Sequence, residues 1–224
     1  MKKVLALCIF IVGISFSSVF AQGVSTKGFI GGLNMSNVSG DDVQDNKIKL
    51  GYAVGGFWSF KVGSKFSIRP EIYYTSKGFI LETKENESNA VYDFDITATG
   101  TLSLNYIEVP VLGVFSVNRN LNVFAGPYLD YYLSGEMERK IEGNIKYNDG
   151  SGWVTENVDR SETEELKSED MTSPGYGLTA GAEYLFGQFS IGARYSLGLS
   201  NIPKEEEGKF NHTNIQVMVA FYLP

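Results

Sequence analysis

Large apolar residues alternate with small or polar ones, with a period of two residues, through long stretches of this sequence. Between Ile48 and Phe60, the even positions are mostly large and apolar, whereas the odd positions are mostly small or polar. Successive side chains of a β-strand point to opposite faces, so the pattern predicts a strand that lies between two different environments.

The alternation recurs along the chain and predicts eight strands, of which the first is the weakest. The predicted strands span 28–36, 48–60, 66–75, 107–116, 121–131, 176–186, 189–199 and 214–221. Short connections at 61–65, 117–120 and 187–188 alternate with long ones at 37–47, 82–100, 136–173 and 201–211. This arrangement predicts an all-β fold, an up-and-down eight-stranded antiparallel transmembrane β-barrel with short periplasmic turns and long extracellular loops.

The chemistry of the two strand faces indicates which one meets lipid. Over all eight strands the apolar face carries almost no charge, and the opposite face is rich in Gly, Ser and Thr with isolated charges. The exterior of a soluble β protein is rarely so poor in Lys and Glu. In a membrane the apolar face looks outward, and a narrow eight-stranded lumen takes small and polar side chains.

Aromatic residues mark both ends of the predicted apolar band. Phenylalanines flank the predicted turns and the C-terminal end: Phe60, Phe66, Phe115, Phe186, Phe189 and Phe221. Tyrosines lie further along the same faces, toward the long loops: Tyr52, Tyr74, Tyr131, Tyr176 and Tyr195. Two girdles of aromatic residues are typical of a barrel at the two membrane interfaces. Core aromatics at the strand ends of a soluble β protein are the alternative interpretation.

The N-terminal segment predicts export. Lys2 and Lys3 precede an apolar stretch, and Val19-Phe20-Ala21 places small residues at −3 and −1, so residues 1–21 are expected to be a signal peptide and 22–224 the barrel domain. Cleavage would leave 203 residues with no cysteine and a net charge of −9. No later segment is apolar over the length that a membrane helix needs, which excludes a polytopic helical protein, and the acidity disfavours nucleic acid as a partner.

Charged residues on the predicted lumen face form the candidate site. They are Arg69, Glu71, Glu108, Asp130, Glu183 and Arg194. An ionised group in a narrow lumen needs a partner, so we expect a structural charge network with the two arginines as cationic centres. Paired carboxylates also suggest acid–base chemistry, but a network that fixes the barrel register is the preferred interpretation. No cofactor is expected, and a mature chain with one histidine and no cysteine disfavours a metal site.

Two further features bear on function. His212, the only histidine, lies near Ser200 and Glu205–Glu207 in sequence, which leaves a lipid-modifying enzyme as an alternative, although no spacing motif links these residues. The predicted loop 136–173 contains 11 acidic and 5 basic residues in its segment 136–170. We expect it to be solvated, with a short helix over Glu162–Lys167 because Ser161 and Glu164 form a capping-box pattern.

Several segments resemble the PorT-like outer-membrane β-barrel family of Bacteroidetes. They are Gly31–Ser36, Arg69–Tyr74 followed by Lys77-Gly78, Leu104–Pro110, Gly126–Tyr128 and Ala193–Gly198. The resemblance covers nearly the whole mature chain and implies the barrel fold and the outer membrane. Members of the family mostly lack an assigned activity, and a few are linked to type IX secretion.

These observations lead to an expected function without catalysis. We expect a non-enzymatic, monomeric outer-membrane envelope protein that contacts lipid and binds an extracellular or envelope protein partner through loop 136–173. An accessory role in protein secretion across the outer membrane, implied by the resemblance, and a lipid-modifying enzyme are the alternatives. An open porin is disfavoured because side chains fill an eight-stranded barrel.

Overall fold

The computed structural model describes residues 26–39, 46–88, 92–148, 152–169, 171–202 and 211–223. Within these ranges the chain forms nine strands and no helix. The strands are β1 (Thr26–Ser39), β2 (Asn46–Lys61), β3 (Phe66–Ser88), β4 (Tyr92–Ser116), β5 (Leu121–Asn148), β6 (Trp153–Glu165), β7 (Gly175–Phe186), β8 (Phe189–Gly198) and β9 (Asn211–Leu223). The predicted signal peptide, residues 1–21, lies outside the described residues.

Eight of these strands close into a barrel. The hydrogen-bonded order is β1-β2-β3-β4-β5-β7-β8-β9, and β9 pairs with β1 to complete the ring. Every neighbouring pair is antiparallel, which confirms the predicted up-and-down barrel. Closure matters physically because it leaves no unpaired strand edge within the bilayer, where water cannot satisfy the backbone.

The predicted faces are also confirmed. Outward-facing Leu50 and Tyr131 are 72% and 60% exposed, whereas inward-facing Asn34 and Gln216 are fully buried. Both ends of the outer surface carry exposed aromatics, although Phe60 is buried at the end of β2 and does not join the girdle predicted for it. Among the described residues there is no helix with the length and apolarity needed to cross a membrane.

The long connections differ from the prediction. Most of 82–100 and 136–173 is strand, because β3, β4 and β5 extend far past the barrel wall and β6 pairs with the outer part of β5. The predicted helix over Glu162–Lys167 is wrong, since residues up to Glu165 lie in β6. Cross-strand hydrogen bonds to β5 satisfy this backbone and override the local capping pattern.

These extensions form what we call the projecting sheet, which comprises residues 79–88, 92–104, 135–148 and 153–165 in the order β3-β4-β5-β6. Beyond Tyr131, β5 continues to Asn148, which corresponds to up to about 55 Å along the strand. The tips of its two hairpins lie outside the described residues. The projecting sheet stands on the extracellular side, opposite the short turns.

Candidate functional site

The lumen is filled by side chains in layers, with charged groups in the middle. The six site residues predicted from the sequence all point inward and are buried. The structure brings them into two adjacent clusters, which we call the arginine cluster (Arg69, Glu71, Glu183 and Arg194) and the lysine cluster (Lys77, Glu108 and Asp130).

The arginine cluster crosses the barrel from β3 to β7 and β8. Arg69 Nη1 lies 2.7 Å from Glu183 Oε1, and Arg69 Nε lies 3.0 Å from Glu71 Oε1. Arg194 Nη1 donates to Glu71 Oε2 at 2.7 Å, and Nη2 lies 3.4 Å from Oε1. Both guanidinium groups lie over the ring of Phe124, 5.0 and 5.3 Å from its centroid. Each buried ion therefore has an oppositely charged partner, and both cations also contact the negative face of an aromatic ring.

Glu183 has neutral partners as well. The Tyr222 hydroxyl and the Asn122 side-chain amide donate to its Oε1 at 3.0 and 2.9 Å, and the Ser190 hydroxyl lies 3.2 Å from Oε2. Hydrogen bonds to a carboxylate offset much of the free energy lost when it leaves water. Glu183 is therefore less dependent on Arg69 than a carboxylate with a single partner would be.

The lysine cluster lies closer to the extracellular mouth than the arginine cluster does. Lys77 is not among the site residues predicted from the sequence. Lys77 Nζ contacts Glu108 Oε2 and lies 3.7 Å from Asp130 Oδ2. Its ammonium group also lies 5.5 and 5.1 Å from the ring centroids of Tyr106 and Tyr128. The sequence contained the signal, because Lys77 has the same parity as Arg69 and Glu71 on one continuous strand.

Tyr73 joins the two clusters. Its hydroxyl donates to Glu108, and its ring lies 5.7 Å from the guanidinium carbon of Arg194. The lumen thus holds three cations and four carboxylates in one connected set among the described residues. This arrangement can fix the relative positions of strands that are far apart in sequence.

Apolar layers close the lumen on both sides of the charged set. Toward the extracellular mouth, Val38, Leu104, Tyr132, Met171 and Ile202 pack together. Toward the periplasm, another cluster includes Ile30, Ala53, Phe57, Met218 and Ala220. Two cavities between lumen residues have volumes of about 10 Å³ each, room for one water molecule apiece.

His212 lies in the upper lumen, but the geometry of a catalytic triad is not formed among the described residues. His212 Nε2 lies 3.3 Å from the Tyr106 hydroxyl, and the two rings pack edge to face. Ser200 Oγ instead accepts a 3.0 Å hydrogen bond from the backbone N–H of Tyr176. Glu205–Glu207 lie outside the described residues.

No metal site emerges in the part of the chain that the structure describes. Within it there is no group of three or more His, Cys, Asp or Glu side chains placed to hold an ion. The carboxylates of the lumen are instead occupied by the three cations.

Replacing Arg69 with alanine is expected to lower the free energy of unfolding by about 2 kcal/mol. The loss is moderate because Glu71 keeps Arg194, and Glu183 keeps its three neutral donors. Urea titration of the refolded protein in detergent micelles measures it. Arg119→Ala, in an exposed turn, is the control, and equal stability of the two variants would contradict the role of Arg69.

The projecting sheet is a second candidate site, because its two faces differ in chemistry. The strand registers place an apolar row on the face that continues the lumen side of the barrel, which we call the inner face. The row contains Tyr92, Phe94, Ile96, Ile141, Ile145, Tyr147, Val154 and Val158. The opposite, outer face carries Asp93, Lys146 and many Thr, Asn and Glu side chains, with Lys146 Nζ 3.7 Å from Asp93 Oδ2.

The inner face is only partly covered. Ile141 and Tyr147 are 41% and 39% exposed, and the other members of the row are partly exposed as well. Phe94 pairs directly with Ile145, and Tyr92 with Tyr147, so part of the row stabilises the sheet itself. A partly exposed apolar surface outside the membrane makes this face a candidate interaction site.

Comparison with known proteins identifies the family. Residues 20–204 match the model of the outer membrane protein beta-barrel domain. The chain belongs to this family. It is an outer-membrane β-barrel protein, and the narrower PorT-like assignment to Bacteroidetes stays a prediction. No curated protein matches this chain significantly.

Solved structures with similar folds are outer-membrane barrels of low identity. Ail, the attachment invasion locus protein of Yersinia pestis, in complex with the heparin analogue sucrose octasulfate, is 16% identical, with a TM-score of 0.43 over 88% of this chain and 98% of Ail. Neisserial surface protein A is 12% identical, with a TM-score of 0.37 over 87% and 96%. LpxR from Salmonella typhimurium is 8% identical, with a TM-score of 0.27 over 87% and 100%. At this level, similarity carries no information on function.

Proposed function

We propose that the protein is a non-enzymatic envelope protein that binds an extracellular protein partner through the inner face of the projecting sheet. The observation that carries the proposal is the apolar row on the part of this sheet that lies farthest from the barrel. Covering the apolar face of a sheet removes apolar surface from water and stabilises the sheet further, and a bound partner would supply that cover.

The face of the sheet is a better binding surface than its edge. The outer edge of β6 has no strand partner among the described residues. However, β6 is dense in charge, with Asp159, Arg160, Glu162, Glu164 and Glu165 close together. Charged side chains on an edge strand oppose pairing with another chain, so the edge is protected rather than offered.

The charge around the apolar row indicates the chemistry of the partner. The described residues of the projecting sheet and the segment to Glu169 contain 14 acidic and 6 basic side chains. Charged residues of the inner face are also mostly acidic, with five glutamates (Glu85, Glu87, Glu156, Glu162 and Glu164) and two arginines (Arg139 and Arg160). A partner with an apolar centre and a basic rim is therefore complementary to this surface.

The filled lumen and the placement of His212 support a role without catalysis. The cavities beside the charged clusters hold no more than one water molecule each, and Ser200 bonds to backbone rather than to His212. A nucleophile needs a base within hydrogen-bond reach. These observations support a function outside the barrel lumen.

Site-specific photocrosslinking on intact cells tests the proposal. A photoreactive phenylalanine analogue is introduced at Ile141 or Ile145 on the inner face, and at Lys140 or Lys146 on the outer face. We expect a discrete protein adduct from the two inner positions and none from the two outer ones, because neighbouring residues of a strand point to opposite faces.

The outcomes separate the alternatives. Adducts that are as strong from the outer positions as from the inner ones, or none from any position, would contradict binding by the inner face. Mass spectrometry identifies the captured protein. A component of export machinery would favour the secretion accessory, whereas altered membrane lipid that depends on His212 would favour the enzyme.

A further inference from the structure

A groove interrupts the lipid-facing surface near the periplasmic end of the barrel. Its volume is about 520 Å³, and its lining is almost entirely apolar. The lining includes Lys27, Phe29, Gly56, Trp58, Ile72 and Leu223. The groove therefore lies where β1, β2, β3 and β9 run side by side.

The groove exists because one side chain is missing from an otherwise large outward row. Gly56 lies between Phe29 on β1 and Ile72 on β3, and the outward residues before and after it on β2 are Val54 and Trp58. All four flanking side chains are well exposed on the lipid-facing surface. A slot of this shape, walled by large apolar groups, fits a hydrocarbon chain better than the smooth barrel wall does.

A cation stands at the periplasmic end of the groove. Lys27 is exposed and pairs across the strands with Trp58 on one side and Leu223 on the other. Lysine side chains at a membrane boundary lay their methylene stems along apolar surface and keep the ammonium group at the level of the headgroups. Its charge is therefore close to a lipid phosphate.

The surrounding charge favours an anionic lipid. Lys61, Lys65 and Arg119 lie in or beside the short periplasmic turns, and no acidic residue occurs in 61–65, 117–120 or 187–188. The projecting sheet at the other end of the barrel is acidic. The two ends thus differ in sign, and only the periplasmic end attracts anionic headgroups.

We propose that this groove binds an anionic glycerophospholipid of the periplasmic leaflet, with one acyl chain beside Gly56 and the phosphate at Lys27. The site is independent of the binding surface on the projecting sheet, since the two lie at opposite ends of the barrel. It gives the protein a fixed lipid neighbour in addition to the exchanging lipids around it.

Fluorescence quenching by brominated lipid tests the proposal. The chain has two tryptophans, and Trp153→Phe leaves Trp58, which lines the groove, as the only one. This variant is placed in vesicles of equimolar phosphatidylglycerol and phosphatidylcholine, with bromine on the acyl chains of one lipid or the other. We expect an apparent association constant about fivefold higher for phosphatidylglycerol, because one lysine near an anionic lipid contributes about 1 kcal/mol.

Variants in this background separate the site from general attraction. Lys27→Gln is expected to remove the preference, whereas Lys65→Gln, which lowers the net charge equally on the same rim, retains it. Gly56→Leu fills the groove and is expected to remove the preference, whereas Gly31→Leu, on the outward row of β1 but outside the groove, retains it. Heat-modifiable gel migration verifies that each variant is folded.

Three results would overturn the proposal. They are equal quenching by the two brominated lipids in the parent, a preference that survives Lys27→Gln, and an equal loss of preference in Lys27→Gln and Lys65→Gln. The Lys27 variant is informative even if Gly56→Leu does not fold, because Lys27 is exposed and its replacement leaves the barrel wall intact.

Discussion

Replacing Lys77 with methionine is expected to destabilise the barrel by about 3–5 kcal/mol, a larger loss than that expected for Arg69→Ala. Lys77 is the ion-pair partner of both Glu108 and Asp130, which are direct neighbours across β4 and β5. Without the ammonium group, two adjacent carboxylates remain buried with no cation between them. Arg69→Ala is milder because it leaves every carboxylate with another partner.

The measurement is the urea midpoint of the refolded protein in detergent micelles, followed by heat-modifiable migration or tryptophan fluorescence. Lys84→Met is the matched control, since Lys84 is on the same strand and well exposed, and its partner Glu82 keeps an ion pair with Lys47. The control should change stability by less than about 1 kcal/mol. Adding Glu108→Gln to Lys77→Met should recover part of the loss, and a loss no larger than that of Lys84→Met would refute the lysine cluster as a stabilising group.

Replacing Gly32 with alanine is expected to cost about 3 kcal/mol or to prevent barrel closure. Gly32 faces the lumen at the seam between β1 and β9. A methyl carbon there would lie 2.1 Å from the Val217 carbonyl oxygen and 2.8 Å from the Met218 Cα. Both neighbours are backbone atoms, so relief requires that the two strands move apart along the seam.

The adjacent residue provides the control. Gly31 faces lipid, and a methyl carbon there would have its nearest neighbour, the Ala53 carbonyl oxygen, at 3.6 Å, an ordinary contact. Gly31→Ala should therefore fold with stability within about 0.5 kcal/mol of the parent. The yield of the heat-modifiable form and its urea midpoint measure both variants. Equal behaviour of the two would show that the seam tolerates side-chain volume on its lumen side.

The barrel could be predicted from the sequence because its signal is local and repeated. Every membrane strand places one face in lipid and one in the lumen, so each carries the same two-residue alternation. The short turns indicate where one strand ends and the next begins. Because the apolar side chains keep to one face along every strand, that face is identified as the lipid side. None of this required knowledge of which strands pair.

The projecting sheet could not be predicted as easily, because its strands stand in water and carry many charged residues between the apolar ones. Ile141 and Ile145 alternate as a strand requires, but Glu138, Arg139 and Lys140 near them resemble a solvated loop. The capping pattern at Ser161 was a real local preference that pairing with β5 overrode. The hairpin of β5 and β6 is defined by contacts between the two strands. A short segment of sequence does not show these contacts.

The charged site was partly predictable for a related reason. The alternation alone places Arg69, Glu71 and Glu183 in the lumen. It also places Lys77 there, because β3 continues past residue 75, where the predicted strand ends. The division into two clusters depends on which residues meet across the lumen. That division follows from the stagger of the strands, which the alternation does not report.

The arginine cluster also has a consequence for how the barrel forms. Two of its three ion pairs, Arg69–Glu183 and Arg194–Glu71, join residues 114 and 123 positions apart in the chain, from opposite parts of the wall. A partly assembled sheet, open between β1 and β9, leaves the members of these two pairs separated and hydrated, so the two pairs contribute nothing until the cylinder is complete. Contacts of such long range favour slow, cooperative folding. These interior ion pairs therefore stabilise only the closed barrel. Half-closed intermediates are poorly populated as a result, and the pairing of β1 with β9 is the decisive step of assembly.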